Sequence, residues 1–205
     1  MSKLYFFYSA MNAGKTTSLL QSDHNYRQRG MNTILYTSRR DDRSGVGVIS
    51  SRIGLERQAH LITETTDLFA EVSEHIMREP VHCVFIDEAQ FLSPRQVAQA
   101  TMVCDQLNIP VLAYGLRTDF RGEPFEGSKY LLAWAEELVE VKTVCRSGRK
   151  ATMSARLNDQ GERVWEGDQV EIGYHYEPLS RHLFDLPSIS PVMVENRTSE
   201  GEPSS

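Results

Sequence analysis

Ser9-Ala10-Met11-Asn12-Ala13-Gly14-Lys15-Thr16 follows the apolar run Leu4–Tyr8 and leads into Lys15–Arg29, a helix-compatible stretch that Gly30 ends. The spacing is that of a phosphate loop, G-x-x-x-x-G-K-[ST], with Ser9 standing where the first glycine is usual. A strand, a tight turn and a helix N-terminus in this order aim backbone N–H groups at an anion. Lys15 adds a charge for the β- and γ-phosphates, and the Thr16 hydroxyl is a ligand suited to Mg²⁺. The same residues also suit a plain strand-turn-helix with a solvated lysine, so a second element has to decide.

That element is Val81-His82-Cys83-Val84-Phe85-Ile86, a buried-strand run ending in Asp87-Glu88-Ala89-Gln90. In an open parallel sheet, ligands sit at the C-terminal ends of the strands. Asp87 is therefore expected beside the phosphate loop as a carboxylate holding Mg²⁺, with Glu88 as a candidate base. The alternative is that both acids merely begin a solvated loop.

Further runs at Thr33–Tyr36, Ile109–Tyr114 and Leu138–Val141 read, with Leu4–Tyr8 and Val81–Ile86, as strands buried on both faces. Helices fall between them. Leu68, Phe69, Val72 and Ile76 have helical spacing, and Ser93-Pro94-Arg95-Gln96 is a capping signal for a helix running to about Leu107, with Val97, Thr101, Cys104 and Asn108 on one face. The alternation predicts an α/β fold: a P-loop, RecA-like parallel sheet flanked by helices over residues 1–142. Residues 143–186 read as a small β-rich lid. Within it Thr152–Leu157 and Val164–Val170 flank Asn158-Asp159-Gln160-Gly161, a hairpin signal. The tail, 187–205, is too polar to pack and is expected to be disordered. The Asp-, Ser- and Gly-rich stretch Arg40–Gly54 reads equally as a mobile loop near the first helix or as ordinary surface.

The 205 residues carry 22 Lys+Arg against 28 Asp+Glu, a net charge of −6, which leaves no cation excess for nucleic acid. Cys83, Cys104 and Cys145 are odd in number and far apart, giving no disulfide framework and implying a reducing cytoplasm. The N-terminal apolar run passes straight into the glycine-lysine turn instead of a cleavage site, and no run approaches the roughly 18 residues needed to span a bilayer. A soluble chain acting on small molecules is expected.

Three stretches together resemble the type II, or cellular-type, thymidine kinases: Tyr8-Ser-Ala-Met-Asn-Ala-Gly-Lys-Thr16, Asp87-Glu-Ala-Gln-Phe91, and Tyr114-Gly-Leu-Arg-Thr-Asp-Phe-Arg-Gly-Glu-Pro-Phe125. The resemblance covers Lys3 to Tyr176, and the third stretch is its most specific part. It implies transfer of the ATP γ-phosphoryl to the 5′-hydroxyl of thymidine, and of deoxyuridine, in nucleotide salvage for DNA synthesis, with Glu88 accepting the proton and Lys15 at the phosphates. Ser9 to Thr16 and Asp87 to Gln90 would hold ATP, and Thr16 and Asp87 would hold Mg²⁺. Met11, Phe91, Leu116, Phe120, Phe125 and Tyr176 would surround the nucleoside, with Arg52 or Arg156 neutralising phosphate. A cytoplasmic homo-oligomer, tetramer or dimer, is implied.

The family's small domain carries zinc on paired cysteine motifs, and a lasso closes over the nucleoside. Here Cys145-Arg146-Ser147 keeps one thiol and Ser180 stands where the second pair would start, so Cys145 and His182, even with Asp185, are too few ligands and no zinc is expected. Ile172-Gly173-Tyr174-His175 gives a shortened lasso. Two other functions suit a phosphate loop: a RecA-like ATPase driven by nucleic acid, which would need a basic groove, and a non-catalytic nucleotide sensor, which would not need Glu88.

Overall fold

Six parallel strands form the central sheet of the computed structural model, which describes residues 1–38, 47–169 and 174–184. In chain order the elements begin β1 (Leu4–Ser9), α1 (Lys15–Gln28), β2 (Thr33–Ser38), β3 (Val48–Ser50), β4 (Glu56–Gln58), β5 (His60–Ile62), α2 (Leu68–Arg78) and β6 (Cys83–Asp87). A short 3₁₀ turn at Ala89–Phe91 precedes α3 (Pro94–Leu107), β7 (Val111–Leu116), α4 (Glu126–Trp134) and β8 (Glu137–Glu140). The sheet order is β5-β2-β6-β7-β1-β8, so one strand, β7, lies between the phosphate-loop strand and the acidic strand.

Alternate residues of these strands enter two cores, because a strand's side chains alternate faces and both faces are covered. Leu4, Phe6, Val84, Ile86, Val111 and Ala113 pack with α2, α3 and α4, whereas Leu35, Cys83, Phe85 and Tyr114 pack with Leu19 and Leu20 of α1. Each such large side chain removed from water contributes roughly 1.5–3 kcal/mol. Helix α3 begins as its sequence signals: Ser93 accepts from Gln96 N–H, and Gln96 Oε1 accepts from Ser93 N–H. Val97, Ala100, Val103 and Cys104 form its buried stripe. Thr101 is only half-buried, and Asn108 is the left-handed C-cap, not a member of the helix face.

Two expectations need correction, and one strand was not foreseen. Strand β8 is not buried on both faces: it is the sheet edge, paired with β1, and Leu138 and Val139 are 48% and 36% exposed. The opposite edge, β5, is three residues long and shows no apolar run, so it carries no sequence signal. Part of the stretch read as a loop is a ribbon, β3 pairing antiparallel with β4. Residues 39–46 lie outside the described residues, as do Val170, Ile172, Gly173, Asp185 and the tail.

The C-terminal part is built from short antiparallel pieces: β9 (Thr143–Val144) with β10 (Lys150–Ala151), and β11 (Met153–Leu157) between β12 (Arg163–Val164) and β13 (His175–Leu179), followed by α5 (Arg181–Phe184). The expected hairpin is β11–β12, turned at Asn158, whose side chain accepts from Gln160 N–H and Glu162 N–H, but its second strand is only Arg163–Val164 and residues 165–169 do not continue it as expected. No helix among the described residues is long and apolar enough to cross a membrane.

Candidate active site

The phosphate loop leaves the end of β1 through two residues at positive φ, Asn12 (62°) and Gly14 (81°). A Cβ on Gly14 would meet nothing within 4 Å, so glycine serves there for its backbone freedom alone. Asparagine is among the side chains that tolerate this region. The Ser9 hydroxyl accepts from Lys15 Nζ at 2.9 Å and donates to the Ala10 carbonyl at 2.6 Å; Lys15 also reaches that carbonyl at 3.3 Å. Ser9 therefore anchors the lysine at the base of the loop, a task that glycine lacks the side chain to do. Helix α1 has no acidic residue in its first turn, which leaves the positive end of its dipole for an anion.

Asp87 ends β6, 4% exposed, and its Oδ2 accepts from Thr16 Oγ1 at 3.1 Å. The phosphate loop and the acidic strand end thus meet across β7. Burial, and next the charge of Glu88, push the Asp87 carboxyl up to about 7. Glu88 follows in the left-handed region, φ 51°, a conformation that costs a non-glycine residue of order 1–3 kcal/mol. Its carboxylate accepts from Gln90 Nε2, while Gln90 Oε1 accepts from Leu116 N–H at 3.0 Å.

Two cavities adjoin these residues. One, of about 490 Å³, is lined by Met11 to Thr17, Thr37, Val48 to Ile53, Asp87, Glu88 and Leu116. The other, of about 630 Å³, is lined by Thr63 to Thr65, Gln90, Phe91, Phe125 and Gln169 among others. Phe91 and Phe125 meet edge to face, ring centres 5.7 Å apart. The expected nucleoside set is therefore divided: Met11 and Leu116 face the first cavity, and Phe91 and Phe125 the second. Phe120 is 1% exposed beneath Arg156, and Tyr176 presents its hydroxyl to Arg156 Nε at 3.0 Å. Arg52 lines the phosphate cavity, whereas Arg156 is fully buried in this aromatic cluster and is not placed to neutralise phosphate there. Ala89, 0% exposed, and Gln90 do not line the phosphate cavity.

Sequence reading missed the residues that hold these loops. Asp119 organises the motif from Tyr114 to Phe125, accepting from the N–H groups of Arg121 and Glu123, from the Arg121 guanidinium and from Gln169 Nε2. Ser154, on β11, accepts from Met11 N–H at 2.9 Å, and Asn12 Nδ2 donates to the Tyr176 carbonyl at 3.2 Å. Both contacts tie the phosphate loop to the C-terminal strands. The last two contacts join residues more than a hundred positions apart and leave no local pattern to find.

The thymidine kinase family model matches residues 2–184. The chain belongs to the thymidine kinase family. It is 61% identical to the thymidine kinase of Haemophilus influenzae over 180 residues, covering 88% of this chain and 93% of that one. It is 58% identical to that of Vibrio cholerae over 173 residues (84% and 90%), and 59% identical to that of Xanthomonas campestris over 187 (90% of each). In this member of the thymidine kinase family, Cys145 Sγ lies 3.0 Å from Ser147 Oγ, and that hydrogen bond holds the thiol down to about 6. A single thiolate beside hydroxyls does not fit a closed zinc site, since the hydroxyl is a poor ligand for this metal. His182 lies on α5.

Proposed function

We propose that this chain transfers the γ-phosphoryl group of ATP to the 5′-hydroxyl of thymidine, and of deoxyuridine, giving the monophosphate and ADP in nucleotide salvage. The observation that carries the reading is the convergence of Lys15, Thr16, Asp87 and Glu88 on one cavity. Phosphoryl transfer needs positioning and charge neutralisation more than covalent chemistry. The loop from Ser9 to Thr16 cradles the triphosphate, Lys15 and Arg52 offset its charge, and Glu88 accepts the proton from the attacking hydroxyl.

The Thr16 hydroxyl and Asp87 carboxylate, both hard oxygen donors and within hydrogen-bonding distance, fit Mg²⁺, which keeps waters and phosphate oxygens as its other ligands. When bound it would neutralise charge on the β- and γ-phosphates. Phe91 and Phe125 form apolar walls for the base, Met11 and Leu116 line the side toward the phosphates, and Arg156 joins Phe120 to Tyr176 beside them. The working form is a homo-oligomer, tetramer or dimer, in the cytoplasm.

Incubating the protein with ATP, Mg²⁺ and each deoxynucleoside in turn tests this. Thymidine and deoxyuridine should be phosphorylated and the purine nucleosides not. ATP turnover stimulated by DNA or RNA, without nucleoside phosphorylation, would instead identify a RecA-like ATPase.

A further inference from the structure

The 3₁₀ turn after β6 is held in an unusual way. Gln90 is 2% exposed, and its amide is engaged at both ends: Nε2 donates to Glu88 Oε2, and Oε1 accepts from the backbone N–H of Leu116 on β7. Two glycines allow the turn to sit this close. A Cβ on Gly115 would come within 2.9 Å of both Gln90 N and Gln90 Oε1. A Cβ on Gly127, in α4, would come within 2.7–2.8 Å of the carbonyl oxygens of Leu92, Ala89 and Gln90. The turn is thus clamped between β7 and α4, and Glu88 leaves it in a left-handed conformation that its own side chain does not favour.

We propose that Gln90 is a positioning residue for Glu88. The amide is fixed at one end by the sheet backbone, so its other end holds the Glu88 carboxylate in one place and one orientation. The hydrogen bond also spans the two cavities, since Glu88 lines the one at the phosphate loop and Gln90 the one at Phe91 and Phe125. Glu88 is thereby set at the boundary between phosphate and acceptor. The proposal rests on the reading of Glu88 as the base.

Two variants separate this role from support of the fold. Gln90→Met removes both hydrogen bonds, whereas Gln90→Glu keeps an acceptor for Leu116 N–H and loses the amide donor to Glu88. A misplaced catalytic group costs on the order of 10- to 100-fold in rate. Both variants should lose about that much in kcat for thymidine while the KM for ATP stays within about twofold and the folded fraction, followed by circular dichroism, is unchanged for Gln90→Glu. In a Glu88→Gln background, either Gln90 substitution should cost less than about threefold more, because the group it positions is already gone. Full kcat in a folded Gln90 variant, with Glu88→Gln itself inactive, would overturn the role of Gln90 alone. So would a rate loss repeated undiminished in the Glu88→Gln background. Full activity of Glu88→Gln would overturn the base assignment, and this proposal with it.

Discussion

The guanidinium of Arg156 sits over the ring of Phe120, its central carbon 3.7 Å from the ring centre, and donates from Nε to the Tyr176 hydroxyl. A β11 side chain thereby joins the loop after β7 to β13, and its other nitrogen reaches the Asp168 carbonyl at 2.5 Å. A desolvated cation–π contact of this kind is worth about 2 kcal/mol or more. Arg156→Met keeps the length and loses the charge and the hydrogen bonds. It should raise the KM for thymidine roughly tenfold and leave the KM for ATP unchanged, as steady-state kinetics with each substrate varied would show.

The pH dependence of stability follows from Asp87, whose carboxyl is pushed up to about 7 by burial and then by Glu88. A carboxyl raised in the folded state stabilises the fold fully below its unfolded value of about 3.9, and that contribution is lost as the pH rises through about 7. Asp87→Asn should therefore raise the Tm of nucleotide-free protein at about pH 8, and by roughly half as much at about pH 5.5, midway through that window. With Mg²⁺ and ATP present the order should reverse at the higher pH, since only the carboxylate can hold the cation. Thermal denaturation across this range, with and without Mg²⁺ and ATP, checks both signs.

Gly127 tests the clamp on the 3₁₀ turn. The three oxygens a Cβ would strike are backbone atoms and have no rotamer in which to escape. Gly127→Ala should cost about 1–3 kcal/mol or more, lowering Tm by several degrees at roughly 2–4 °C per kcal/mol. Gly148→Ala is a useful comparison: its added Cβ would meet nothing within 4 Å, and its cost would come from the positive φ alone.

Metal content provides an independent check. Purified protein should carry no stoichiometric zinc, and Cys145→Ser should change activity and Tm little, because the thiol is bonded to Ser147 and not to a ligand set. Elemental analysis finding one zinc per chain would contradict this.

How much of this was legible in the sequence depended on distance along the chain. Residues Ser9 to Thr16 and Ser93 to Gln96 are local instructions, a turn and a cap, and the structure forms both. Apolar runs located five strands, four of them inner strands whose burial on both faces requires such a run and the fifth the edge strand β8; β5 failed because a three-residue edge strand needs no such run. Gln90 entered as a nucleotide contact only through the family resemblance. Its actual partners, Glu88 and the Leu116 backbone, follow from the turn at Ala89–Phe91 and from β7 lying alongside. Arg156, which the resemblance offered beside Arg52 for neutralising phosphate, is buried against Phe120 by a topology that local pattern does not encode.

The most direct test is single-turnover transfer from γ-labelled ATP to thymidine by the wild-type protein and by Glu88→Gln, with ATP affinity measured on each. Wild-type should form labelled thymidine monophosphate. Glu88→Gln should bind ATP as tightly and transfer at least about 100-fold more slowly, the scale of losing a positioned general base. Transfer by Glu88→Gln at the wild-type rate would contradict the account.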